Sequence, residues 1–199
     1  MELTKDYVQR AEAVADEILV KYDLDGTYEH DIVAEVMAAL ASKDLLRFGF
    51  SDSAVTGPQK GDMAKAYAVI STLSAKSGVL SHIYMVGALL APLCVAFQGS
   101  REQKADILSK VAEGKMQLSF ALTEPDAGSD AGAAKTTAVL DGDKYVLNGE
   151  KIYITGADTA DIYLRWTRAH TADAAACAVL LRYSRSTYLP GTPSLESLA

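Results

Sequence analysis

The residue types best suited to chemistry are concentrated in one stretch, Phe120-Ala-Leu-Thr-Glu-Pro-Asp-Ala-Gly-Ser-Asp-Ala-Gly132. Gly128 and Gly132 let the backbone turn sharply and present amide hydrogens, Thr123 and Ser129 add hydroxyls, and Pro125 stiffens the bend. Such a loop can cradle phosphate or the acceptor atoms of a ring. Its composition equally describes a surface loop rich in turn formers, and it has neither the Walker lysine nor a GxGxxG run. Glu124, Asp126 and Asp130 offer a third possibility, a Mg²⁺ site built of carboxylates. Further on, Tyr153 and Thr155 are residues of good β-propensity that would serve as well on the face of a sheet as at a site.

Other chemistries are excluded or left without support. The histidines His30, His82 and His170 have no i,i+4 pairing and no neighbouring cysteine, so a clustered zinc site has no basis. Cys94 and Cys177 form neither a CxxC motif nor a disulfide framework, which fits a reducing compartment. A net charge of −7 is the wrong sign for a protein that neutralises many phosphates, which argues against nucleic-acid binding. The N-terminal stretch alternates charged and apolar residues and does not read as a secretory signal. The expected localisation is cytoplasmic, of bacterial type, or the mitochondrial matrix with the transit peptide absent if the chain is eukaryotic.

The elements that must position the loop follow from periodicity. Tyr7/Val8, Ala11, Val14/Ala15, Ile18/Leu19 and Tyr22 lie on one helical stripe. Ile32, Val33, Val36, Met37 and Leu40 repeat the pattern, as do Met63, Tyr67, Ile70 and Leu73 after a loop from Ser51 to Gly61 that holds Gly57-Pro58. Val79 to Phe97 carries no formal charge, but Ser81, His82, Gly87 and Pro92 favour a buried core helix over a membrane span. Ser100 and Gln103 form a capping box for a helix that stops at Gly114. Five helices are therefore expected up to about residue 114. Beyond Lys115, Asp141-Gly142 and Asn148-Gly149 read as hairpin turns joining three strands, TTAVL, KYVL and KIYIT. A run of helices followed by a run of strands predicts an α+β protein, an N-terminal antiparallel helical bundle followed by a partial antiparallel β-domain.

The segment QLSFALTEPDAGSDAGAAKTTAVLDGDKYVLNGEKIYITGADTADIYL resembles the middle-domain signature of the acyl-CoA dehydrogenase family. Upstream, SHIYMVGALLAPLCVAFQGSREQKADIL resembles the same family's helical segment ending in a Gly-x-x-x-Gln-Lys turn, here Gly99, Gln103 and Lys104. The resemblance implies a helical domain at 1–117 and a partial middle β-domain at 118–164. It implies FAD lying against the β-domain, with Phe120, Ala121, Leu122, Thr123, Gly128 and Ser129 lining the flavin. The Thr123 hydroxyl would bond the pyrimidine side of the ring, and Ser129 would also approach the CoA portion of the substrate. Tyr153, Ile154 and Thr155 match an aromatic-Ile-Thr/Ser element that packs beside the flavin and reaches nitrogen N5. Glu124 would belong to the loop scaffold.

The activity so implied is the α,β-oxidation of an acyl-CoA thioester to a trans-2-enoyl-CoA, with electrons passed to an electron-transfer flavoprotein by an enzyme that is tetrameric in the family. The glutamate base of that reaction normally comes from a C-terminal helical domain, and no residue of this sequence takes its role. A truncated chain, inactive alone, is therefore expected. Residues 165–199 carry four Arg and no Lys, and lack strand alternation beyond ACAVLL. They read as an aberrant, disordered tail of the kind a frameshift produces, ending in a loose segment from Ser184 to Ala199. The alternatives are a non-catalytic remnant or partner subunit, and the acyl-CoA oxidase or nitroalkane oxidase branch.

Overall fold

A computed structural model describes residues 2–24, 31–47, 62–141, 144–157, 159–171 and 174–183. The Gly57-Pro58 loop, Gly142 and the segment from Ser184 to Ala199 lie outside the described residues. The chain divides into two compact units, Met1–Leu118 and Ser119–Ala199.

In the first unit the expected periodicities become five helices: α1 (Glu2–Lys21), α2 (Asp31–Ser42), α3 (Met63–Lys76), α4 (Gly78–Gln98) and α5 (101–112). The stripe of α1 is buried at Ala11, Val14, Ala15 and Ile18, and joins one core with Val36, Met37 and Leu40 of α2 and Val69 and Leu73 of α3. Asp62 caps α3 by accepting from the Lys65 amide at 3.2 Å, and Ser77 caps α4 through the Leu80 amide at 3.5 Å. The capping box opening α5 is formed in full: the Gln103 amide donates to Ser100 Oγ and the Ser100 amide to Gln103 Oε1.

Helix α4 is long and apolar enough to cross a membrane by length and composition. Here it is a core helix: Leu80, Tyr84, Ala88, Ala91 and Val95 are buried, and it packs on α2, α3 and α5. A π-helical turn over Met85–Leu90 widens it directly before Pro92. Proline has no N–H to donate and crowds the preceding turn, and the wider turn accommodates both effects.

The second unit is a five-stranded sheet: β1 (Leu118–Ala121), β2 (Thr137–Asp141), β3 (Lys144–Asn148), β4 (Ile162–Thr171) and β5 (Ala174–Tyr183), in the order β1-β4-β2-β3 with β5 also on β4. The α+β architecture is as read from the sequence, but the sheet differs in three respects. First, β2 and β4 run parallel, so the sheet is mixed and not purely antiparallel. Second, KIYIT is not a strand. Gly149 takes φ 147°, but the chain leaves β3 into a bent segment with Tyr153 at φ 56°, and β3 stands at the end of the strand order with β2 as its neighbour. Third, the boundary expected after Leu164 falls inside β4, which pairs antiparallel with β5 along its whole length, from Ile162↔Tyr183 to Thr171↔Ala174. Backbone pairing makes this ribbon without needing the alternation that the sequence lacks.

The Tyr84 hydroxyl is fully buried in the first unit with no hydrogen-bond partner among the described residues. A stranded buried hydroxyl costs free energy that the bare ring does not. Tyr84→Phe should therefore leave the helical unit at least as stable, and up to about 1 kcal/mol more so, in urea denaturation.

Candidate functional site

Strand β1 delivers Phe120 and Ala121 into the loop that follows, and that loop is organised by one carboxylate. Glu124 is only 5% exposed. Its Oε2 accepts from the Lys135 amide at 2.6 Å, and its Oε1 accepts from the Thr136 amide at 3.0 Å and from Lys151 Nζ at 2.8 Å. The Lys151 ammonium, itself buried, also donates to the Leu122 carbonyl at 2.8 Å. Glu124 and Ala127 pair their backbones, closing the turn through Pro125 and Asp126. The far side of the loop is tied by Lys135 Nζ to Asp126 at 2.7 Å and by the Trp166 indole N–H to the Ala131 carbonyl at 3.0 Å.

Burial pushes the Glu124 carboxyl upward, but hydrogen bonds from Lys151 and from the Lys135 and Thr136 amides outweigh it and hold the group at about 2. It is therefore an anion in a cage of donors. Its two oxygens are taken by the Lys135 and Thr136 amides and the Lys151 ammonium, which removes the geometric basis for the Mg²⁺ alternative. Among the described residues no group of three His, Cys, Asp or Glu could hold a metal ion.

The second segment lies against the first. The Ile152 amide donates to the Thr123 carbonyl at 2.9 Å, and buried Ser119 donates from Oγ to the Thr155 carbonyl at 2.7 Å. Just upstream the chain passes close to Thr136 at Gly149, where a Cβ would sit 2.4 Å from Thr136 Oγ1 and 2.7 Å from Thr136 Cα. Residues 119–124 and 151–155 thus run side by side. Phe120, Ala121, Leu122 and Thr123 are brought next to Tyr153, Ile154 and Thr155, and the Tyr153 ring is 90% exposed. Gly128 and Ser129 lie on the exposed part of the loop beyond the Glu124–Ala127 bridge. The sequence reading had Glu124 as scaffold but singled out neither Lys151 nor Ser119. The available signal was a lysine opening the segment KIYIT after Asn148-Gly149-Glu150.

Residues 119–188 match the family model described as acyl-CoA dehydrogenase, middle domain, so the match does not stop at Leu164 as the sequence reading had it. The chain is 35% identical over 160 residues to a 3-(aryl)acrylate reductase of Clostridium sporogenes, covering 80% of this chain and 40% of that protein. It is 37% identical over 108 residues to a short-chain-specific acyl-CoA dehydrogenase of Clostridium acetobutylicum, covering 54% of this chain and 28% of that one. An acyl-CoA dehydrogenase complexed with FAD from Bacillus anthracis superposes with TM-score 0.73 at 25% identity, over 90% of this chain and 31% of that chain. The chain belongs to the acyl-CoA dehydrogenase family. It spans 40% or less of the length of these relatives.

Two outcomes follow from the cage. A Cβ on residue 149 has no room, so Gly149→Ala should destabilise the sheet unit by about 2 kcal/mol or more in denaturant titrations followed by Trp166 fluorescence. The Glu124 carboxyl titrates at about 2 when folded against 4.5 as its ordinary value. Its contribution is complete above 4.5 and is lost as pH falls toward 2. Acid titration of Trp166 fluorescence should show the sheet unit loosening across that window, and Glu124→Gln should lower stability at neutral pH by about 3 kcal/mol while flattening the acid dependence.

Proposed function

We propose that the sheet unit binds FAD and that the chain serves an oxidoreductase acting on the α,β carbon–carbon bond of acyl-CoA thioesters. The observation that carries this reading is the side-by-side placement of Thr123 and the segment Tyr153–Thr155, inside a region matched to the acyl-CoA dehydrogenase middle domain. These residues suit an isoalloxazine, which needs a flat apolar cover and donors around its carbonyls and N5. Tyr153 presents an exposed ring, and Thr123 and Thr155 bring hydroxyls to the adjoining segments.

FAD, when bound, supplies a two-electron acceptor for the hydride that leaves the β-carbon. The protein's part is to bind and tune. Thr123 and the neighbouring backbone amides would hold the pyrimidine edge of the ring system, where negative charge collects on reduction. Tyr153 would cover one face and exclude water, and Thr155 would donate at N5. Ser129, on the exposed loop, would meet the CoA portion of the substrate. The base that takes the α-proton is assigned to no residue of this chain. An electron-transfer flavoprotein is the proposed redox partner.

The test is direct. The purified chain is titrated with FAD, following flavin fluorescence and the yellow absorbance of protein-bound flavin after gel filtration. Retained flavin at one equivalent per chain, lost in Tyr153→Ala combined with Thr155→Val, is the expected outcome. A folded chain that retains none overturns the reading.

A further inference from the structure

The bent segment carrying Tyr153 has an uncommon backbone. Tyr153 sits at φ 56°, in the left-handed region, with its ring 90% exposed. For an L-residue with a Cβ that conformation costs about 1–2 kcal/mol, and an exposed ring returns nothing in burial. Neighbouring contacts must hold the residue there. Two stand at the ends of the five-residue stretch from Lys151 to Thr155. At the first end, Lys151 Nζ reaches the Leu122 carbonyl and Glu124 Oε1, each at 2.8 Å, and the following amide of Ile152 bonds the Thr123 carbonyl. At the second end, Ser119 Oγ donates to the Thr155 carbonyl at 2.7 Å. Both anchoring side chains are buried, Ser119 at 0% and Lys151 at 7% exposure.

We propose that Ser119 and Lys151 are positioning residues: two anchors that lock the left-handed Tyr153 turn onto the segment after β1 and so preset the face offered to the flavin. This rests on the flavin reading given above. Neither side chain needs to touch the cofactor. Ser119 acts through the Thr155 backbone and thereby fixes where the Thr155 hydroxyl is carried. Lys151 acts through Leu122 and Glu124, which ties the turn to the loop holding Thr123. The anchors differ in chemistry. The lysine anchor is an ion pair whose removal strands a buried carboxylate. The serine anchor is a single neutral hydrogen bond, and its removal leaves the Glu124 cage intact.

That difference makes the proposal testable even where one variant fails to fold. Amide hydrogen exchange by mass spectrometry is measured on the whole 199-residue chain without ligand, for the parent, Ser119→Ala and Lys151→Met. FAD affinity and the reduction potential of any bound flavin are then measured on the same proteins. In Ser119→Ala the amides of 152–157 should exchange about tenfold faster, with the helices of the first unit unchanged. FAD should bind about tenfold more weakly, and the potential of the bound flavin should shift, a readout that a purely structural loss would leave alone. Lys151→Met should loosen both 152–157 and 122–136; if it does not fold, Ser119→Ala decides alone. Parent-like exchange at 152–157 in Ser119→Ala overturns the proposal, as does loosening produced by Lys151→Met only. So does unchanged FAD affinity and potential in a Ser119→Ala protein whose turn has loosened. If the parent takes up no FAD, the flavin reading itself fails, and the exchange data still report whether the two anchors hold the turn.

Discussion

The geometry of the sheet unit depends on a charge taken out of water. Glu124 and Lys151 are separated by 27 positions in sequence and 2.8 Å in space, both almost fully buried. Desolvating them is costly, and the cost is offset by two backbone amides and the ammonium on the carboxylate, with a backbone carbonyl sharing the ammonium. An interaction of this kind contributes more to uniqueness than to net stability. Any shift of the loop by an ångström would strand a charge, so the arrangement is held to one geometry.

Among the residues of the sheet and loop whose side chains are described, the buried apolar ones are Ala121, Ala127, Ala134, Ala138 and Ala160, with Leu118 on β1 and Ile162 and Leu164 on β4. Small side chains let backbone segments approach closely, as at Gly149 against Thr136, but they supply little apolar area. The helical unit is built the other way. Continuous stripes of Leu, Ile, Val and Met interlock between helices, and a helix apolar enough for a bilayer is consumed as core.

This contrast also sets what could be read from the sequence. The helices were legible because a period of 3.6 is a local signal: the stripe from Ala11 to Ile18 and the Ser100–Gln103 cap need no knowledge of the rest of the chain. The β-unit was legible in kind but not in detail. Ile152 and Ile154 alternate as a strand would, yet what decides pairing is nonlocal: KIYIT bends away from β3, and the sheet grows instead on the other side of β2, where β4 pairs in parallel. Likewise, the arginines and alanines after Leu164 suggested a break, whereas the β4–β5 ladder is made by backbone groups indifferent to that composition. Thr123 and Tyr153–Thr155 were picked out by resemblance, and the structure brings their segments together. Lys151 and Ser119 escaped notice because their partners lie 27 and 36 residues away, and nothing in their immediate neighbourhood marks a buried lysine or serine.

The unusual backbone at Tyr153 bears on how such a chain changes over generations. In isolation a glycine or asparagine there would relax the left-handed conformation, and removing an exposed ring would cost no buried surface. Selection on folding alone therefore pushes this position away from tyrosine. On the flavin reading proposed above, a large aromatic is kept there by the molecule it covers, so the identity of this one residue across descendants would record whether the chain has kept that duty or been released from it.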